Sequence, residues 1–108
     1  MNLKFITDLI KKWFGKKDPD MPEEAKAAFR ALYRLSQKTL AAYVAEADTL
    51  QKKIDAAKTA PKKNLYKRKF NKVKKKFQDE LGRLNQIDQI MKDNNIDPPT
   101  NEDEEEAA

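Results

Sequence analysis

Cysteine and histidine are both absent from the 108 residues. Their absence removes disulfides, thiol nucleophiles, Cys/His zinc ligands and imidazole bases, and with them most common enzyme mechanisms. A chain without cysteine also fits a reducing, cytoplasmic setting. Glycine (two) and proline (five) are scarce, too scarce for the many tight turns of a sandwich or barrel. No apolar run approaches the roughly 18 residues of a membrane span, and Lys4 and Asp8 interrupt any signal-peptide core. What is present is 38% charged and 39% hydrophobic residues. That balance, rich in helix-forming Ala, Leu, Lys and Glu, predicts an all-α fold with a thin core.

The few breakers divide the chain. Gly15, followed by Lys16, Lys17, Asp18 and Pro19, ends a first amphipathic helix within residues 1–17. Asp20 and Glu23 have the spacing of a capping box, with Pro22 in the first turn, so a second helix is expected over about 21–58. Thr59, Ala60 and Pro61 mark a tight turn over about 59–61, because proline lacks the N–H that a helix interior needs. A third helix over about 62–94 completes a hairpin unit, 18–95, and Asp97, Pro98 and Pro99 stop it. Residues 96–108, with the acidic run Glu102–Glu106, read as a disordered tail.

The two long helices carry matching apolar stripes. Phe29, Tyr33, Leu40, Tyr43, Ala47, Leu50 and Ile54 are spaced three and four apart, and so are Tyr66, Phe70, Val73, Phe77, Leu84, Ile87 and Met91, each list with one wider gap. Reflection about residue 60 places Ile54 opposite Tyr66, Leu50 opposite Phe70, Ala47 opposite Val73, Tyr43 opposite Phe77, Tyr33 opposite Ile87 and Phe29 opposite Met91. A coiled-coil-like antiparallel hairpin follows from this pattern. Leu32, Val44, Leu65 and Ile90 fall outside the pairing and need cover. Either the first helix folds onto the hairpin, or two hairpins associate.

Two segments are candidates for function. On the first helix, Leu3, Phe5, Ile6, Leu9, Ile10, Trp13 and Phe14 form an apolar face, and Lys11, Lys12, Lys16 and Lys17 supply positive charge. Such a helix can lie in the headgroup region of an anionic membrane, peripheral at the inner face, or pack as ordinary core over Leu32 and Ile90. The second candidate is the basic run. Residues 62–78 hold nine basic and no acidic side chains, whereas residues 1–61 have a net charge of +4 and residues 79–108 a net of −8. Lys62, Lys63, Lys67, Arg68, Lys69, Lys72, Lys74, Lys75 and Lys76 form a sheath around every side of the third helix except its apolar stripe. Glu46 and Asp48, level with Lys74 and Lys72 in the mirrored register, offset part of it, two acids against nine bases. The sheath reads as a solvated face or as a backbone-directed nucleic-acid contact without sequence specificity. Tyr66, Phe70 and Phe77 belong to the stripe and are not available to stack on bases. The acidic tail reads as a solubilising end or as an internal mimic of the same anionic ligand.

An amphipathic first helix (Ile6, Ile10, Trp13), a basic hairpin (Lys62–Lys76) and an acidic tail (Glu102–Glu106) resemble, in layout and in miniature, the phage-shock and ESCRT-type membrane-remodelling proteins. The likeness covers layout alone, and no signature residue carries across. Adjacent carboxylates such as Glu23/Glu24 and Asp79/Glu80 diverge by about 100° on a helix and cannot converge on one substrate atom. No glycine-rich phosphate loop exists. The sequence therefore predicts a non-enzymatic scaffold without cofactor, metal or small-molecule substrate. It is expected to attach to an anionic membrane and self-associate through the hairpin. Nucleic-acid binding through residues 62–76, as in a nucleoprotein or virion accessory, and an adaptor role for a partner helix are the alternatives.

Overall fold

The computed structural model describes residues 3–18 and 20–99, all helix, turn or coil without a strand among them. Helix α1 spans Leu3–Trp13, α2 spans Glu23–Ala56 and α3 spans Ala60–Asp93. The chain is all-α, and α2 and α3 pack as a hairpin. No described helix is long and apolar enough to cross a membrane. Two compact units divide it: residues 1–36 with 83–108, and residues 37–82. The expected acidic run Glu102–Glu106 lies outside the described residues.

The first unit is a three-helix assembly. Ile6, Ile10 and Trp13 of α1 join Phe29 and Leu32 of α2 and Ile87, Ile90 and Met91 of α3 in one buried cluster. Leu32 and Ile90, which the hairpin pairing leaves over, are 2% and 0% exposed, so α1 supplies their cover. Burial of Ile6, Ile10 and Trp13 contributes roughly 1.5–3 kcal/mol each.

The connections complete this core. Gly15 ends α1 with φ +77°, a conformation in which a Cβ is unfavourable. Asp18 then organises the turn: its Oδ1 accepts from the Asp20 N–H at 2.9 Å and its carbonyl from the Met21 N–H at 3.1 Å. Met21 is thereby placed in the core. The capping role expected of Asp20 is thus corrected: α2 starts later, and Pro22, whose carbonyl accepts from the Lys26 N–H, is its boundary residue. At the far end of α3, Asn95 adopts φ +55°. Its N–H donates to the Lys92 carbonyl and that of Ile96 to the Met91 carbonyl at 2.8 Å. This is the Schellman arrangement, closed by apolar contact between the residues at its two ends. Ile96, placed by the spacing at the head of the tail, is accordingly a core residue, 5% exposed.

Asn94 fastens the first unit. Its Oδ1 accepts from the Asp18 N–H at 2.9 Å, while its Nδ2 donates to the Lys16 carbonyl at 3.1 Å and the Ile90 carbonyl at 2.9 Å. One buried carboxamide thus satisfies backbone groups of the α1–α2 connection and of α3 together.

The second unit has two helices only. Leu50, Ile54 and Val73 are its buried hydrophobic residues. Tyr43, Ala47, Tyr66, Phe70 and Phe77 are half-buried, and Val44 and Leu65 are 56% and 48% exposed. The turn occupies residues 57–59, two earlier than the breakers imply. Pro61 is the second residue of α3, and the Thr59 carbonyl accepts from the Lys63 N–H at 3.1 Å. A proline fits there because the first N–H groups of a helix have no intrahelical acceptor.

Asn95→Ala is expected to lower unfolding stability by about 1 kcal/mol, since alanine resists positive φ, whereas Asn95→Gly leaves stability unchanged or raises it. Asn94→Ala, which orphans the Asp18 N–H and Lys16 carbonyl, is expected to cost about 1–3 kcal/mol. Urea midpoints followed by circular dichroism read both effects.

Candidate functional site

Helix α3 displays the nine basic residues through its own periodicity. Residues seven apart differ in direction by only about 20°, so Lys62, Lys69 and Lys76 make one row. Lys67 and Lys74, with Lys63, make a second row on the other flank of the apolar stripe, and Arg68 and Lys75, with Lys72, a third on the back. All nine are exposed, and none forms an ion pair with a described residue.

Two grooves run along the second unit. The first, of about 310 Å³, is lined by Lys53, Lys69, Lys72 and Lys76 with one acid, Glu46, and with Thr49, Leu50 and Val73. Lys53 also lies over the Tyr66 ring, 5.8 Å from its centroid, a cation–π contact that holds the ammonium at the helix–helix boundary. The second, of about 320 Å³, is apolar. Tyr43, Val44 and Ala47 form its α2 side, and Phe70, Val73 and Phe77, with Lys74, its α3 side. Tyr43 and Ala47 thus share a groove with Phe77 and Val73, as the mirrored register requires.

The expected charge offsets are corrected here. Asp48 pairs within its own helix, 3.3 Å from Lys52, because an i,i+4 partner is closer than a residue across the hairpin. Glu46 shares its groove with Lys69, Lys72 and Lys76 rather than with Lys74, which belongs to the opposite flank. The aromatic stripe is also less enclosed than its spacing implies, since Phe70 and Phe77 are only half-buried where a third helix is missing.

The residues expected to meet a membrane are divided. Ile6, Ile10 and Trp13 are buried in the first unit and Leu9 packs against them. The side chain of Leu3 is outside the described set. Lys11, Lys12, Lys16 and Lys17 are exposed, and Phe5 and Phe14 are 50% and 49% exposed. Lys12 lies over the Trp13 ring at 5.7 Å. α1 therefore presents a mostly polar outer face, and its apolar side is occupied by the protein.

A further groove of about 520 Å³ in the first unit lies between Arg30 and Arg34 and the Asp97–Pro98–Pro99 segment. Apolar spacing gives no hint of it, and the i,i+4 arginine pair is its one sequence signal. Elsewhere in that unit the Asp88 carboxylate, 2.9 Å from Lys92 Nζ, holds the ammonium above its usual range by hydrogen bond and charge. No protein family model, no curated protein and no solved structure matches this chain.

Proposed function

We propose that this chain is a non-enzymatic binding protein whose second unit grips the phosphate backbone of nucleic acid without reading its sequence. One observation carries the reading: Lys53, Lys69, Lys72 and Lys76 converge on a groove holding a single acid, Glu46. Thirteen basic and five acidic residues give residues 37–82 a net charge of +8. Like charges at Lys63/Lys67, Arg68/Lys72 and Lys72/Lys76 each oppose the helix by roughly 0.2–0.5 kcal/mol. A bound polyanion relieves that repulsion while releasing its own counterions. Basic rows on several sides favour a chain that can wrap over a flat surface, which reaches one side at a time. Base edges are not addressed by the lysine groove, because its polar lining is four ammonium groups, which position phosphates, with the Glu46 carboxylate and the Thr49 hydroxyl and no planar amide or guanidinium to pair with a base.

The membrane reading keeps one supporting observation, the exposure of Phe5 and Phe14 near Lys4, Lys11, Lys12, Lys16 and Lys17. Insertion of the full apolar face requires α1 to leave a core in which it covers Phe29, Leu32, Ile87, Ile90 and Met91, and their exposure opposes the move. Bilayer burial returns the share of α1 itself, so lysine attraction to anionic lipid, about 1 kcal/mol per residue near the surface, has to outweigh the uncovering of Phe29, Leu32, Ile87, Ile90 and Met91. Phosphate binding by the second unit needs no such rearrangement.

Anisotropy titrations with labelled single-stranded and duplex oligonucleotides of unrelated sequence test the first reading. Affinity is expected to fall log-linearly with salt and to vary little with sequence. The combined change Lys69→Gln, Lys72→Gln and Lys76→Gln is expected to reduce the duplex salt slope by about 0.9 for each phosphate that is no longer neutralised. No binding at low salt rejects it. Flotation with anionic vesicles tests the second reading, using Phe5→Ser with Phe14→Ser so that the α1 core face stays intact. On the nucleic-acid reading, wild type and variant behave alike; flotation by wild type alone establishes the membrane role.

A further inference from the structure

The hairpin is completed by a third helix in the first unit and lacks one in the second. In the first unit, α1 lays Ile6, Ile10 and Trp13 over the line where α2 and α3 meet, and Phe29, Ile87, Ile90 and Met91 become almost fully buried. In the second unit the comparable line remains open as the apolar groove of Tyr43, Val44, Phe70 and Phe77. Val44 is 56% exposed there. A hydrophobic strip of this kind on two helices is the surface on which a third amphipathic helix packs.

Charge selects the occupant. Lys74 is part of the groove wall, and Lys67, seven residues earlier in the same row, extends the basic rim along α3. Neither is in an ion pair with a described residue. A second copy brings its own net +8 to the contact, and like-signed surfaces oppose association. α1 from another copy carries Lys4, Lys11 and Lys12 against Asp8 alone, the wrong sign. The acidic run Glu102–Glu106 has the right sign, but the residues flanking it include no large hydrophobic side chain to fill the groove.

We infer that the apolar groove of the second unit docks an acidic amphipathic helix from a different protein. Its leucine-like stripe covers Tyr43, Val44, Phe70 and Phe77, and carboxylates about seven residues apart meet Lys67 and Lys74. This surface lies on the opposite flank from the lysine groove of the nucleic-acid reading and stands or falls separately from it.

The probe is a labelled synthetic peptide of about three heptads, with Leu at positions a and d and Glu at e and g. Titrated against the full chain, it is expected to bind with Kd on the order of 10 μM. Affinity is expected to drop about tenfold when the same residues are scrambled to destroy the stripe, when Lys replaces Glu, and when the protein carries Val44→Glu. Val44 is exposed, and unchanged thermal unfolding of Val44→Glu confirms that the fold is retained. Equal binding by the scrambled peptide overturns the proposal, since charge alone then accounts for the contact, and equal binding by Val44→Glu overturns it because the peptide then sits elsewhere than the groove. Absence of binding up to the order of 1 mM overturns it also. A doubled solution mass that Val44→Glu restores to monomer overturns it in favour of a second copy.

Discussion

The packing of α1 against the ends of α2 and α3 is the interaction on which the rest depends. It converts a hairpin seam, too thin to exclude water by itself, into a three-helix core with Phe29 and Ile90 at 0% exposure. It also takes the apolar face of α1 out of circulation, leaving lysines and two separated phenylalanines outside. The same contact therefore sets the stability of the first unit and decides which function the N-terminal helix can serve without rearrangement. Asn94 reinforces it with directional bonds where apolar packing alone would allow sliding.

The second unit stands in contrast. Its buried hydrophobics are Leu50, Ile54 and Val73, while its basic residues repel one another along α3. Stability alone would favour alternating charge and a fuller apolar seam on such a helix pair. A surface that opposes its own helix and leaves aromatic edges open suits the two ligands proposed for it, phosphate on one flank and an acidic amphipathic helix on the other. Uniform charge sign within residues 62–78, in place of mixing, is what separates the two units chemically.

Much of this is legible in residue order. Two stripes spaced three and four apart specify a hairpin, and Leu32 and Ile90, left over by the pairing, require cover by either the first helix or a second hairpin, of which α1 is the one that packs on them. The departures have local causes. Pro61 reads as a breaker, but in the first turn of α3 its missing N–H has no acceptor to disappoint. Asp20 has capping-box spacing, yet Asp18 takes the turn because burial of Met21 sets the path of the chain. Ile96 follows an asparagine at positive φ, and the Schellman closure carries it back to Met91, which apolar periodicity cannot register. Asp48 is level with α3 in the mirrored register, whereas Lys52 is nearer along its own helix. Groove exposure at Phe70 and Phe77 depends on the absence of a third layer, a property of assembly that no single helix encodes.

The bonds from Asn94 to Lys16 and Asp18 join residues 78 and 76 positions apart. Ribosomes add residues at about 5–20 per second, so α1 leaves the exit tunnel on the order of several seconds before its covering helix end exists. Throughout that interval Ile6, Ile10 and Trp13 have only the Met21, Phe29 and Leu32 side of their core to pack on, without Ile87, Ile90 and Met91. Chaperones or bilayers encountered during translation meet a different α1 surface from the one the finished fold displays.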